Sequence, residues 1–325
     1  MDTLASGKAN LDVMAETLLS LAKHDRSILV VTGDSRGSGK LTGFGKALPD
    51  QIVEVGIAEQ NLVGISAGLA STGKRVFAVS PACFQTARAL EQIKNDVAYS
   101  NQPVKLVGIS AGVSYGALGS THHSLHDYAA LLAIHNIDIV SPADNFETRE
   151  AIKAAVDYPR PVYLRFGKKP MPDLHSPDTK FKIGKAIHIQ KGKDVTFVAT
   201  GETVSLVVMA SNLLKEKGVS AGIISMHTLR PLDEQALLEA ARSSNAMITV
   251  EEHSINGGLG SLCASLLFQR GYCLPFKIIG IPDEYTVTGS QGEILAHYGI
   301  SPQALAEAAL SLIQTQGSPE MTVIS

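Results

Sequence analysis

Short aliphatic runs alternate with longer helical patterns from one end of the sequence to the other, and this rhythm limits the fold more than any other feature. The runs "SILVVTG", "QIVEVG", "KRVFAVS", "VKLVGIS", "NIDIVSP" and "PVYLRFG" read as strands. They are apolar at consecutive positions, as expected of strands covered on both faces. Between them lie "NLDVMAETLLSLAKH", "TARALEQIKNDVAYS" and "NFETREAIKAAVDY", which carry helical periodicity. Strand–helix alternation of this kind predicts a parallel sheet between helical layers. The rhythm breaks over residues 167–180, "GKKPMPDLHSPDTK", with three prolines, several charges and little apolar content. It resumes with "DVTFVAT", "VSAGIISM", "AMITVEE" and "FKIIGI", separated by helices near 202–217, 232–243 and 259–269. The expected fold is α/β in two domains, each a mostly parallel sheet flanked by helices. They span 1–170 and 183–325, joined by a linker over 171–182. A chain of 325 residues suits that division.

Apolar residues make up 45% of the chain and charged residues 18%, enough for two substantial cores. The formal net charge is −3 without a long basic run, which argues against a nucleic-acid partner. Cys83, Cys263 and Cys273 are odd in number and lack CxxC spacing, as expected of reduced thiols in the cytosol. The opening "MDTLASGKAN" has no apolar core of a signal peptide, and no run is long enough to span a bilayer. These features predict a soluble cytoplasmic protein.

Several motifs invite chemical readings. "VVTGDSRGSGKL" looks like a phosphate loop, but that pattern needs Gly where Asp34 stands and Ser or Thr where Leu41 stands. A loop at the carboxyl end of a strand is the better reading. In "GSTHHSLHDY", His122 and His126 are four apart and could share a helix face as metal ligands. However, Ser124 reads as a helix N-cap, which leaves His122 in the preceding loop, where it could meet a substrate. "PVYLRFGKKP" delivers Arg165 to the end of a buried strand, suited either to a phosphate or carboxylate or to pairing with a local acid. In "EEHSINGGLGS", Gly257, Gly258 and Gly260 read as a tight turn with close packing.

The most pointed feature is Glu59 in "VEVGIAEQNLVG", a carboxylate inside an otherwise apolar run. Burying it unpaired is costly, so it must be protonated, paired or facing a site. The following "QNLVGISAGLAS" is apolar nearly all round, which predicts a helix covered by a neighbouring domain or subunit. Glu59 would open that helix, a position suited to proton transfer.

Taken together, "GIAEQNLVGISAGLA", "CFQTARALEQIKNDVAYSNQPVKLVG" and "GSTHHSLHDYAALLAIHNIDIVSPADNFETREAI" closely resemble the pyrimidine-binding domain of transketolases, notably the C-terminal subunits of split transketolases. "RPVYLRFG", "TLRPLDEQAL" and "TVEEHSINGGLGS" extend the resemblance to the transketolase C-terminal domain and so to nearly the whole chain. The resemblance implies thiamine diphosphate as cofactor. It makes Glu59 the glutamate that hydrogen-bonds N1′ of the aminopyrimidine, favouring the imino tautomer that activates the cofactor. It makes Phe84 the aromatic residue packed on that ring, with the family's flanking aromatics replaced by Pro81 and Ala87. His122 becomes the histidine that contacts substrate oxygens near the reacting carbon, and Arg165 an arginine that binds the sugar phosphate.

Three departures bear on specificity and assembly. Where transketolases read "GEDGxTHQ", this chain reads "GALGSTHH", so an acidic pair becomes Ala117 and Leu118. The family's aspartate at the Leu118 position contacts a substrate hydroxyl. An upstream pocket histidine is Ser110 here, so Leu118 and Ser110 together argue for a substrate with different hydroxyl placement. The GDG…N motif that ligates Mg²⁺ and the diphosphate is missing. The resemblance therefore implies a partner chain that supplies the metal site, in an α2β2 heterotetramer. The activity implied is transfer of a two-carbon ketol unit from a phosphorylated ketose to an aldehyde. Alternatives are the β subunit of a 2-oxoacid dehydrogenase decarboxylating component, a deoxyxylulose-phosphate-synthase-like enzyme, and a non-catalytic regulatory homologue.

Overall fold

The structure is a computed structural model that describes residues 6–176 and 178–314. Among the described residues fourteen strands form three sheets. Those of the first half are β1 (Ser6–Ala9), β2 (Ile28–Thr32), β3 (Ile52–Glu54), β4 (Arg75–Pro81), β5 (Lys105–Ile109), β6 (Asp138–Val140), β7 (Val162–Arg165) and β8 (Pro170–Pro172). Those of the second are β9 (Ile187–Gln190), β10 (Val195–Ala199), β11 (Ala221–Ser225), β12 (Thr228–Arg230), β13 (Met247–Ser254) and β14 (Phe276–Ile281).

The larger sheet has the order β12-β6-β7-β5-β4-β2-β3 and the second β14-β13-β10-β11-β9. Every pairing in them is parallel except those of the edge strands β12 and β9. The central strands are buried residue after residue, as their unbroken apolar runs require. The α/β architecture expected from the sequence is present.

Four short strands have no counterpart in the sequence reading. Two of them, β1 and β8, pair antiparallel with each other, so part of the expected linker is a strand held against the start of the chain. Two residues just beyond β8 are tethered as well. Leu174 donates its amide to Asp144, and the His175 ring lies 2.9 Å from Glu147. The third, β12, comes from the C-terminal half yet pairs with β6 in the first sheet, so the halves interlock. The fourth, β9, is the antiparallel edge of the second sheet.

The helix Glu59–Ser71 forms where expected and begins at Glu59. It buries Leu62, Val63, Ser66, Ala67 and Ala70 against the sheet but leaves Gln60, Asn61 and Gly68 exposed. Within this chain it is covered on one side only, which leaves the other side open to a neighbouring subunit. The patterned stretch 86–100 is also less regular than expected. A helix Ala82–Arg88 ends at Ala89, and a π-helical turn occupies Ile93–Tyr99.

Candidate functional site

Glu59, Phe84 and His122 come from three separate segments and meet beyond the carboxyl ends of the parallel strands, where open α/β sheets bind ligands. Glu59 is delivered by the turn after β3. That turn packs so closely on the loop after β2 that a Cβ at Gly33 would lie 2.4 Å from the Gly56 carbonyl oxygen. Phe84 sits in the first turn of the helix following β4. His122 closes the turn Gly116–Thr121 after β5, where Gly119 has φ 71°.

Contacts link them in a chain. Arg88 Nη1 donates to both carboxylate oxygens of Glu59 at 3.1 Å, and its guanidinium carbon lies 4.1 Å above the Phe84 ring. The Phe84 and His122 rings meet edge-on with centroids 5.2 Å apart. His122 meets Tyr115 in the same way at 5.4 Å, and Lys168 Nζ lies 4.6 Å from the centre of the Tyr115 ring. The Thr121 hydroxyl, 3.0 Å from His122 Nδ1, orients the imidazole. Glu59 itself is 6% exposed, at the edge of an open cavity of about 560 Å³ lined by Ile57, Ala58, Gln60, Asn61 and Arg88.

The C-terminal half fixes the His122 loop. Neighbouring His123 places Nδ1 2.7 Å from the Thr286 hydroxyl and Nε2 3.0 Å from the Gly116 carbonyl oxygen. Burial pushes the His123 imidazole below its ordinary value, so it braces the loop as a neutral ring. Glu252 accepts the Val113 amide at 2.7 Å and the Gln291 side-chain amide at 2.9 and 3.0 Å. Gly112, at φ +61°, allows this approach, since a Cβ there would lie 2.4 Å from the Glu252 carboxyl. Glu251 accepts the amides of Leu259 and Gly260 at the start of the helix Leu259–Gln269. The glycines of "SINGGLGS" therefore serve a tight turn and close packing, as expected.

Three expectations change. Arg165 does not join the cluster. It is 6% exposed, its Nε donates to Asp127 at 2.7 Å, and its Nη2 donates to the carbonyl oxygens of Ser124 and Glu252. A guanidinium committed inside the fold in this way is a structural cation rather than a phosphate anchor. Ser110 is fully buried at φ +53°. Tyr115, not Ser110, is therefore presented beside His122. Leu118 stands 55% exposed on the same turn. Finally, Ser124 is not a helix cap: its amide bonds to Gly112, and the helix Asp127–Leu132 starts after His126. His122 and His126 consequently share no helix face. Among the described residues no group of three or more His, Cys, Asp or Glu is placed to hold a metal ion.

Sequence patterns alone do not single out Arg88, Tyr115, Lys168 or His123. Arg88 and Lys168 are cations near recognisable motifs, but their partners are remote in sequence. Only the HH pair of "STHHS" hints that one histidine could serve the other.

Residues 7–172 match the model for the transketolase pyrimidine-binding domain, and residues 184–305 match the model for the transketolase C-terminal domain. An apulose-4-phosphate transketolase subunit of Phocaeicola vulgatus is 48% identical over 300 residues, covering 92% of this chain and 96% of the relative. The protein of the same description from Actinobacillus succinogenes is 39% identical over 302 residues, covering 93% and 97%. Among solved structures, a split-gene transketolase described as an inactive β4 tetramer superposes with a TM-score of 0.86 at 34% identity. That match covers 95% of this chain and 99% of the other.

Proposed function

The chain belongs to the transketolase family, and from that premise we propose that it is the C-terminal subunit of a two-chain, thiamine diphosphate-dependent transketolase. The observation that carries the reading is the convergence of Glu59, Phe84 and His122 from three segments into one open cluster. The pyrimidine end of the cofactor needs a carboxyl group beside a flat apolar face. Arg88 provides the test of fit, because its flat guanidinium already lies on Phe84 with a nitrogen toward Glu59. A planar donor therefore fits between these two side chains.

When bound, thiamine diphosphate supplies an electron sink for breaking and remaking the carbon–carbon bond beside a ketose carbonyl. Glu59 would hold a proton at the pyrimidine N1′ atom, where the largely buried helix start limits competition from water. Phe84 would set the plane of the ring. His122, with Nδ1 turned toward Thr121, has Nε2 left to hydrogen-bond substrate oxygens. Lys168, exposed and in no ion pair among the described residues, takes over the phosphate contact first expected of Arg165.

Mg²⁺ and the diphosphate are assigned to an N-terminal partner chain carrying a GDG…N domain, in an α2β2 assembly. The half-open helix Glu59–Ser71 and the exposed Ile57 beside it suit coverage by another chain. The description of the solved relative as an inactive tetramer of β chains supports a need for the partner. The substrate class follows the two apulose-4-phosphate transketolase relatives: a phosphorylated ketose such as apulose 4-phosphate, whose carbon chain is branched. Leu118 in place of an aspartate supports that choice.

Calorimetry and a ketol-transfer assay test the reading together. The isolated chain is expected to bind thiamine diphosphate negligibly and to be inactive, and the mixture with partner and Mg²⁺ to bind it and turn over. Robust turnover by the isolated chain would overturn the two-chain assignment. Cofactor binding by the mixture without ketol transfer would favour the regulatory homologue.

A further inference from the structure

Arg88 occupies the place that the proposed cofactor contacts require. It is the last residue of the helix Ala82–Arg88 and stands four residues after Phe84, so the two side chains share one helix face. Its guanidinium is flat, cationic and rich in N–H donors, and it covers Phe84 while reaching both oxygens of Glu59. Among the described residues no other donor reaches the Glu59 carboxylate. An aminopyrimidine held by the same carboxylate and the same ring face cannot share that space with it.

The pairing is also built to come apart. Arg88 is 49% exposed, its contact with Glu59 runs through one nitrogen, and the cavity in front is open. Water can solvate the guanidinium as it leaves, so release carries little desolvation cost. Glu59, by contrast, is anchored at the start of a packed helix and would be a buried carboxylate without a partner if nothing replaced Arg88.

We propose that Arg88 is a displaceable placeholder for the aminopyrimidine: a positioning residue that keeps Glu59 and Phe84 in cofactor-ready geometry and yields when the cofactor binds. This rests on the reading of Glu59 and Phe84 as cofactor contacts. Because the cofactor must first break the Arg88 contacts, the placeholder weakens cofactor binding while protecting the empty half-site.

The experiment is calorimetric titration of thiamine diphosphate, with saturating Mg²⁺, into the assembled two-chain complex of wild type, Arg88→Ala, Arg88→Lys and Phe84→Ala. Arg88→Ala is expected to tighten Kd about three- to tenfold, the scale of a half-exposed ion pair plus a cation–π contact. Arg88→Lys keeps the charge without the flat face and is expected to fall between. Phe84→Ala is expected to weaken binding. If Phe84→Ala weakens binding but Arg88→Ala leaves it unchanged or weaker, the placeholder is wrong and the site reading stands. If Phe84→Ala has no effect, the site reading fails and the placeholder with it. Should Arg88→Ala not assemble, NMR of the isolated wild-type chain decides. The Arg88 δ-methylene protons should be shifted upfield by the Phe84 ring and return to ordinary values in Phe84→Leu; unshifted protons in wild type overturn the proposal.

Discussion

Two of the carboxylate–arginine pairs in the first half of the molecule, Asp127–Arg165 and Glu59–Arg88, are built in opposite ways. Asp127 and Arg165 are both buried, at 0% and 6% exposure, and each has further partners. Tyr163 donates to Asp127, two carbonyl oxygens accept from Arg165, and the guanidinium stacks over Tyr128. Glu59 and Arg88 share a single nitrogen, and one of the two is half in water. A pair closed on both sides has no capacity left for a ligand, whereas a pair open on one side can exchange partners. The contrast, more than the presence of an arginine near a motif, separates framework from site.

The largest expected effect comes from breaking the closed pair. Arg165→Met leaves Asp127 buried without its cation and should cost about 3–5 kcal/mol, read from the midpoint of denaturant unfolding. Asp127→Asn in the same chain should recover part of that loss. Burial alone would raise the Asp127 carboxyl. The Arg165 and His253 charges and the bonds from Arg165 and Tyr163 outweigh it and hold the carboxyl below its ordinary 3.8. A depressed folded-state value means the pair's stabilisation is present above the unfolded value and lost as pH falls through the folded one. The wild-type unfolding midpoint should therefore drop in strong acid more steeply than that of the double variant.

The open pair should respond in activity instead of stability. Glu59→Gln nearly preserves shape but cannot share a proton with N1′ in the same way. Ketol transfer by the assembled complex should fall at least about a hundredfold, the scale of lost acid–base help, roughly 2.7 kcal/mol. The thermal midpoint of the isolated chain should move little. A collapse of stability with intact activity would place Glu59 with the framework and erase the contrast.

How far the sequence discloses this follows from the range over which each signal acts. Glu59 is visible because a carboxylate interrupting "VGIA" is anomalous within its own neighbours. The central strands are visible because burial on both faces leaves an unbroken run. Arg165 can be read two ways because its acid lies 38 residues earlier, where spacing carries no information. Arg88 is silent for the same reason, with its partner 29 residues away. The three-residue β12 reads as part of "TLRP" and joins the first sheet only through a long-range antiparallel pairing that no local pattern encodes.

A smaller effect sharpens the comparison at the substrate end. If Lys168 receives the phosphate, Lys168→Ala should raise KM for the phosphorylated ketose about tenfold, near the lower limit for a charge-assisted bond because the side chain is exposed. KM for the unphosphorylated ketose should hardly change. Equal losses on both substrates would mean that Lys168 only packs on Tyr115.

The smallest and most local effect is expected at Leu118. An aspartate at this position would offer an acceptor to a sugar hydroxyl; leucine offers none. The side chain stands 55% exposed on the turn that carries His122, so water can still reach a hydroxyl placed there. That limits the difference to about 0.5–1.5 kcal/mol, below the full cost of a buried unsatisfied group. Leu118→Asp should accordingly raise kcat/KM for xylulose 5-phosphate relative to apulose 4-phosphate by roughly two- to tenfold. Tyr115 offers a competing account, since its phenol lies beside the same imidazole and could already supply the missing hydrogen bond. In that case Leu118→Asp leaves the substrate ratio unchanged and Tyr115→Phe shifts it. Burial pushes the Tyr115 phenol above its ordinary value, so around neutral pH it remains a donor and the shift should not depend on pH there. Measuring both ketoses on both variants assigns the contact to one side chain or the other.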